Sequence, residues 1–213
     1  MTKNAAPRAR RSHLAQPLDR SFYDRPTEIV ARELLGAVLE CRTPEGVASG
    51  RIVETEAYLG EHDLACHAAV GRTARTAPLY GEPGIAYVYF IYGMYWCFNA
   101  VTRAKDEPSA VLVRAIEPLE GIPLMQRRRP GAKRPHDLTN GPGKLCLALG
   151  ITGEHTWHPL QRPPLVIRRG DSIGDDRVAI TPRIGITQWA DAPLRWIVSD
   201  NPYVSKTPKP RSS

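Results

Sequence analysis

The stretch from Ala86 to Val101 restricts the possible folds more than any other part of the chain. It is rich in β-branched and aromatic residues and is broken once, at Gly93-Met94. Runs of this kind form strands, and a glycine between two of them turns the chain back on itself. An antiparallel hairpin is therefore expected, and with it a sheet. The segment holds Tyr87, Tyr89, Phe90, Tyr92, Tyr95, Trp96 and Phe98, nearly half of the aromatic residues of the chain. A hairpin buried in the core is one reading. The other is an exposed aromatic wedge, because Tyr92-Gly93-Met94-Tyr95 falls at the turn. Register separates two geometries. A three-residue turn, Gly93 to Tyr95, sets Tyr92 opposite Trp96 and Tyr89 opposite Asn99, whereas a two-residue turn parts Tyr89 from Asn99.

Other elements follow from periodicity and punctuation. Thr27 can cap a helix in which Ile29, Val30, Leu34 and Leu35 recur at helical spacing until Gly36. Residues 37–41 and 50–58 read as strands, with Gly46 in a turn between them, and residues 110–116 read as another. Asn140-Gly-Pro-Gly143 opens onto a short helix over residues 144–149 that Gly150 can end. Residues 165–168 and 194–198 give later strands. The implied class is α+β: a single mixed domain, residues 21–205, around a curved, largely antiparallel β-sheet with a protruding aromatic β-hairpin. Residues 1–20 and 206–213 lack periodic apolar positions and read as a disordered basic arm and a disordered basic tail.

The chain of 213 residues carries a net charge of +7, and the location of that charge matters more than its sum. Lys3, Arg8, Arg10, Arg11 and Arg20 against Asp19 give the arm +4, and Lys206, Lys209 and Arg211 give the tail +3, so the body is neutral. Within that body, Arg127, Arg128, Arg129, Lys133 and Arg134 crowd into residues 122–136 without an acid, which leaves the remainder at −5. Such segregation suits a phosphate-tracking face, although a solvated basic loop has the same composition. No apolar run of about 18 residues and no signal-type leader is present, so an intracellular protein with no membrane partner is expected. Cys41, Cys66, Cys97 and Cys146 form no C-x-x-C pair and read as buried, reduced thiols.

Chemistry can enter at Gly50 to Tyr58. Alternation on a strand projects Ile52, Glu54, Glu56 and Tyr58 to one side and Val53, Thr55 and Ala57 to the other. Two carboxylates and a phenol then share a surface, which is either an exposed acidic face or a working one. His67 lies in the polar loop that follows, with no second and third ligand at metal spacing, so no metal is expected. The chain has no G-x-S-x-G elbow, P-loop or dinucleotide fingerprint, and no cofactor is implied.

Five blocks carry a resemblance: Glu54-Thr-Glu-Ala-Tyr58, His67, Tyr87-Val-Tyr-Phe-Ile-Tyr-Gly-Met94, Arg114-Ala-Ile-Glu-Pro-Leu-Glu-Gly121 and Asn140-Gly-Pro-Gly-Lys144. In this order, from about Phe22 to Ser205, the chain resembles the alkyladenine (3-methyladenine) DNA glycosylase family. The resemblance implies a monofunctional enzyme that flips alkylated or deaminated purines out of duplex DNA and hydrolyses the N-glycosidic bond in base excision repair. A monomer acting on double-stranded DNA that contains a damaged purine is the implied partner arrangement. By the same resemblance Glu56 is the general base that activates water, Arg114 helps to position that water, and Glu54 is a bystander. Tyr58 and His67 form one side of the base pocket, Tyr89 the other and Asn99 the floor. Tyr92 intercalates with Met94 beside it, and Arg72, Arg75, Arg129 and Lys144 touch DNA. The family often shows Arg-Asn where this chain has Arg75-Thr76, a shorter polar reach, and the Arg127 to Arg134 loop is shorter than in some relatives.

The chemistry implied is coherent. A glycosidic bond cannot be approached inside the base stack, so the nucleotide must leave it, at a cost of roughly a few kcal/mol that is least for damaged bases. Aromatic walls attract a cationic alkylated purine through their π faces, worth about 0.5 to 2 kcal/mol. As the bond lengthens the sugar gains oxocarbenium character, which an ionised carboxylate stabilises while it takes a proton from water. No lysine stands in these blocks as a nucleophile, so lyase chemistry is not expected. Two other readings use the same residues: a non-catalytic nucleic-acid-binding module with the hairpin as a stacking platform, and a nucleoside or glycoside hydrolase working through Glu54 and Glu56.

Overall fold

The computed structural model describes residues 15–205. Its elements are α1 (Arg20–Tyr23), α2 (Thr27–Glu33), β1 (Val38–Thr43), β2 (Gly46–Tyr58), β3 (Ala86–Ile91), β4 (Tyr95–Val101), β5 (Ala110–Glu120), α3 (Ile122–Arg128), α4 (Pro142–Leu149), β6 (Gln161–Arg162), β7 (Leu165–Arg168), β8 (Val178–Thr181) and β9 (Arg195–Val198). The strands form one mixed-domain sheet in the order β3-β4-β5-β2-β1-β7-β6, with β9 pairing to both β2 and β8, and every pairing is antiparallel. This is the α+β class that the sequence implies. The long strand β2 is the hinge of the arrangement. Its first half pairs with β1 and its second half with β9, while β5 runs along the other edge with three register shifts. Such irregularities raise local twist and curl a sheet.

The core lies on one face of that sheet. Val30, Ala31, Leu34 and Leu35 from the α2 region meet Val53 and Ala57 of β2, Val111, Val113 and Ala115 of β5, and Leu145, Cys146, Ala148 and Leu149 of α4. Alternation along β5 then sends Leu112 and Arg114 to the opposite face. Alternation along β2 is interrupted. Ile52 was expected beside Glu54, yet it joins the core together with Val53, because the register shifts between Ile52 and Thr55 reset the side-chain pattern.

Two local expectations are corrected. Thr27 does not cap α2: Pro26 holds the cap position and Thr27 is the first helical residue, buried, with its hydroxyl 3.0 Å from that of Thr102. The fixed φ of proline suits a helix start. Residues 15–20, part of the expected disordered arm, already belong to the fold. Pro17 bridges to Arg168, Leu18 donates its backbone N–H to Ile167 at 2.9 Å and is buried, and Asp19 caps α1. The rest of the arm and the tail lie outside the described residues. All four cysteines are free and buried. Among the described residues no helix is long and apolar enough to cross a membrane.

Candidate active site

Strands β3 and β4 pair with Ile91 opposite Tyr95, so the turn is the three residues Tyr92-Gly93-Met94. The turn length agrees with one of the two expected geometries, but it begins a residue earlier. Tyr87 therefore stands opposite Asn99, and Tyr89 opposite Cys97, so Asn99 is a diagonal rather than a direct neighbour of Tyr89. The shift follows from backbone conformation. Tyr92 at φ 54° and Gly93 at φ 67° are both left-handed, and this reverses the chain immediately after Ile91. A left-handed backbone at a bulky residue costs roughly 1–2 kcal/mol. Nothing would touch a Cβ at Gly93, so the turn stands in open space. Tyr92 is 81% exposed and Met94 64%.

The pleat divides the hairpin into two faces. Val88 and Phe98 enter the core, and Phe90 packs on Trp96 with ring centroids 4.7 Å apart. Tyr87, Tyr89, Ile91, Tyr95, Cys97 and Asn99 face a cavity of about 400 Å³ whose remaining wall includes Tyr58, His67, Leu112, Arg114 and the loop Ile184-Gly185-Ile186. That volume suits a small planar ligand. Pro142 and Gly143, at the start of α4, close one side. A Cβ on Gly143 would come within 2.8 Å of Tyr95, which is why the helix can approach the hairpin only with glycine there.

The aromatic wall is not arranged as the resemblance implies. His67 and Tyr89 touch edge to face with centroids 4.5 Å apart, Tyr87 lies 5.5 Å from Tyr89, and the Tyr87 hydroxyl is 2.9 Å from His67 Nδ1. A ring held between two others needs about 7 Å, two contact distances of about 3.5 Å. His67 therefore belongs to the same wall as Tyr89, and Tyr58 is a separate part of the lining. Burial, and after it the charge of Arg75, push the His67 pKa below the usual 6.5, so the imidazole is neutral at neutral pH. Asn99 is buried and its amide donates to the Tyr87 carbonyl at 3.1 Å, which fixes the side chain against the cavity. Burial raises the Tyr58 and Tyr89 phenols well above their usual range.

Behind the part of the wall formed by Tyr58, Arg114 and Ile184 lies Glu56, which is fully buried. Its Oε1 accepts the Ile184 backbone N–H at 2.7 Å, and its Oε2 accepts the Tyr58 hydroxyl at 2.9 Å and Arg114 Nη1 at 3.2 Å. A carboxylate offers about four acceptor sites. Three are filled by protein, and the fourth, on Oε1, remains. Arg114 resists deprotonation: burial opposes its charge, but Glu56 and Glu54 outweigh burial and raise its pKa above the usual arginine value. Glu54 is no bystander in this geometry. It is fully buried and takes Arg114 Nε at 3.0 Å, Arg195 Nε at 2.7 Å and the Ser205 backbone N–H at 2.7 Å.

Several of these residues were missing from the sequence-based set. Arg183 donates to Asp63 at 2.6 and 2.9 Å and to the Ala57 carbonyl at 3.0 Å, and its guanidinium lies 4.7 Å from the Tyr58 ring centre. It anchors the loop that brings the Ile184 N–H to Glu56. No periodicity or motif marks Thr181 to Ile186 in sequence; a lone Arg-Ile-Gly-Ile in a loop carries no signal until the chain folds.

The expected DNA-contacting cations Arg72, Arg75, Arg129 and Lys144 are not themselves among the residues lining the cavity, although Arg75 stands against it. Arg72 pairs with Asp106 at 3.2 Å on the surface, and Arg75 sits 5.8 Å over the Tyr89 ring. Thr76 is buried and ties its own turn, accepting from the Thr73 N–H and donating to the Gly71 carbonyl, each at 2.8 Å. Its lack of reach is thus matched by an internal role. Arg129 donates to the Asp137 carbonyl at 3.1 Å while its Nε has no partner among the described residues, and Lys144 Nζ donates to Asn140 at 2.7 Å. Burial and then the nearby Arg129 charge lower the Lys144 pKa below 10.5.

A family model described as methylpurine-DNA glycosylase matches residues 21–202. A protein of Myxococcus xanthus, provisionally named 3-methyladenine DNA glycosylase, is 50% identical over 196 residues, covering 91% of this chain and 95% of the relative. Proteins with the same provisional name from Methanocella arvoryzae and Salinibacter ruber are 46% and 47% identical, each over 89% of this chain and 96% and 97% of the relative.

Proposed function

The chain belongs to the methylpurine-DNA glycosylase family, and from that membership we propose that it removes alkylated or deaminated purines, of the 3-methyladenine, 7-methylguanine and hypoxanthine type, from duplex DNA by hydrolysis. The observation that carries this reading is the state of Glu56: a fully buried carboxylate behind an aromatic cavity, held by three donors, with one acceptor site left. A binding module gains nothing from a buried negative charge close to where phosphates would pass, whereas a hydrolase needs one.

In the proposed reaction the damaged nucleotide swings into the cavity and its base lies between Tyr58 and the wall formed by His67 and Tyr89. Tyr92, with Met94 beside it, enters the stack that the nucleotide leaves. Glu56 accepts a proton from water on its open Oε1 site as the water oxygen bonds to the anomeric carbon. The bond from that carbon to the base nitrogen breaks, and its electron pair leaves with the base. Arg114, donating to Glu56 and lining the cavity, orients the same water. A cationic base needs no further proton, while a neutral base such as hypoxanthine must gain one on leaving. A neutral His67 suits a cationic guest, because no second positive charge then lines the wall. Lys144 and Arg129, crowded together and partly desolvated, gain from a DNA phosphate between them, as Arg72 and Arg75 do at the rim.

The test uses duplexes that each carry one defined lesion. Free base should appear from at least one of the three lesion types, with the strand intact until it is cleaved chemically at the abasic site. Release of no base from any lesion overturns the reading. Strand cleavage by the protein itself overturns the monofunctional part of it.

A further inference from the structure

Glu54 gathers donors from three distant parts of the chain. Besides Arg114 on β5 and Arg195 on β9, Ser205 gives it both a backbone N–H and its hydroxyl, each at 2.7 Å. Arg195 Nη2 in turn donates to the Ser205 carbonyl at 3.3 Å. Ser205 stands beyond residue 202, where the family match ends. Ser205 is thereby tied to the strand that carries Glu56.

Arg114 lies between two carboxylates, with Nε on Glu54 and Nη1 on Glu56. A guanidinium facing a single carboxylate favours a two-pronged clamp on both of its oxygens. Such a clamp on Glu56 would fill the acceptor site that Oε1 keeps open. By holding Nε, Glu54 fixes the plane of the guanidinium so that Nη1 alone reaches Glu56 and Nη2 is kept from swinging onto Oε1. Among the described residues Arg114 Nη2 has no protein partner, and Arg114 lines the cavity, so that edge remains available to a reacting molecule.

We propose that Glu54, fixed by Arg195 and Ser205, is a positioning residue that keeps Arg114 from closing on Glu56, and that the segment carrying Ser205 is consequently part of the support of the active site. This rests on the reading of Glu56 as the base. Oriented groups lose rate steeply when displaced, on the order of a hundredfold for about an ångström. The loss should fall on the chemical step and not on DNA affinity.

The experiment measures single-turnover base release and, separately, affinity for a duplex bearing a tetrahydrofuran abasic-site analogue. Ser205→Ala removes the hydroxyl but keeps the backbone N–H. It should slow release by about ten- to a hundredfold, with affinity held within about threefold. Ser205→Thr should restore the rate. In an Arg114→Gln background, Ser205→Ala should add no further loss, because its effect passes through Arg114. Equal fractional losses in both backgrounds would mean a general packing effect and overturn the proposal, as would an unchanged rate in Ser205→Ala or a parallel loss of affinity. Glu54→Gln gives the larger version of the same defect where it folds, and the Ser205 variants decide the matter where it does not. Failure of the underlying reading looks different: Glu56→Gln would then retain base release.

Discussion

Tyr92, on the cavity's lining, and Glu56, buried behind its wall, are the exposed and buried ends of one candidate site and are held by opposite means. Glu56 is fully buried, and a backbone N–H, a phenol and a guanidinium fix its two oxygens. Tyr92 is 81% exposed on a left-handed backbone beside Gly93, where an added Cβ would meet nothing. The difference follows from what each end is proposed to do. A carboxylate that takes a proton must sit in one place with its charge compensated, and it takes β2, β5, β9 and two loops to do that. A side chain that enters DNA must be free to meet a surface the protein does not contain, so its apolar area is left uncovered. Strain at Tyr92 and polar saturation at Glu56 are two forms of preorganisation.

Breaking the buried end should have the largest effect. Glu56→Gln keeps the shape of the side chain but cannot accept the proton of water, so single-turnover base release should fall by about 10²–10⁴-fold, the usual worth of a general base. Duplex affinity should persist. A rate within about tenfold of wild type, roughly 1.4 kcal/mol in the barrier, removes Glu56 from the mechanism.

The second effect is on stability and separates the two ends by pH. Asp63 is buried against Arg183, and although burial opposes its charge, the Arg183 hydrogen bonds win and hold its pKa below the usual 3.8. A depressed acid stabilises the fold fully above the ordinary aspartate range, and that contribution is lost as pH falls through the folded value. Asp63→Asn strands a buried guanidinium and should cost about 3–5 kcal/mol at pH 7. The gap in thermal midpoint between variant and wild type should narrow below pH 4, and a gap that is constant with pH counts against the ion pair. Tyr92→Ala should show no such pH dependence.

Tyr92→Ala tests the exposed end. One stacked aromatic ring is worth about 1–3 kcal/mol, so the flipped population should fall by roughly tenfold while the bond-breaking step is spared. The defect should shrink for a mispaired lesion, which is already partly unstacked. A fluorescent base analogue beside the lesion reports the equilibrium, and identical signals from wild type and variant dispose of the wedge.

The smallest expected effect lies between the two ends. Asn99 is anchored to the Tyr87 carbonyl and faces the cavity, where its bulk would exclude the 2-amino group that distinguishes guanine from hypoxanthine. Asn99→Ser should raise excision of guanine-type bases relative to hypoxanthine by about 1 kcal/mol, near the low end for one pocket contact. An unchanged ratio in a folded variant would leave Asn99 with only its backbone hydrogen bond.

Much of this molecule could be read from residue order, because the features concerned are local. Alternation marked the second half of β2, a further strand signal marked β5, a glycine marked the turn between β3 and β4, and Gly150 marked the end of α4; each depends on neighbours a few residues away. The family resemblance pointed to Glu56, Tyr58, Arg114 and Asn99, and the fold brings these four together at one cavity or directly behind it. What only the tertiary structure decided involves long separations. The bulge that turns Ile52 into the core depends on the register against β5, and the grouping of His67 with Tyr89 depends on how a loop docks on a strand. Glu54 looked idle because its partners stand 60, 141 and 151 residues away. An ion pair of that kind leaves no pattern along the chain: burial removes water from both charges, and only the folded geometry determines which opposite charge replaces it.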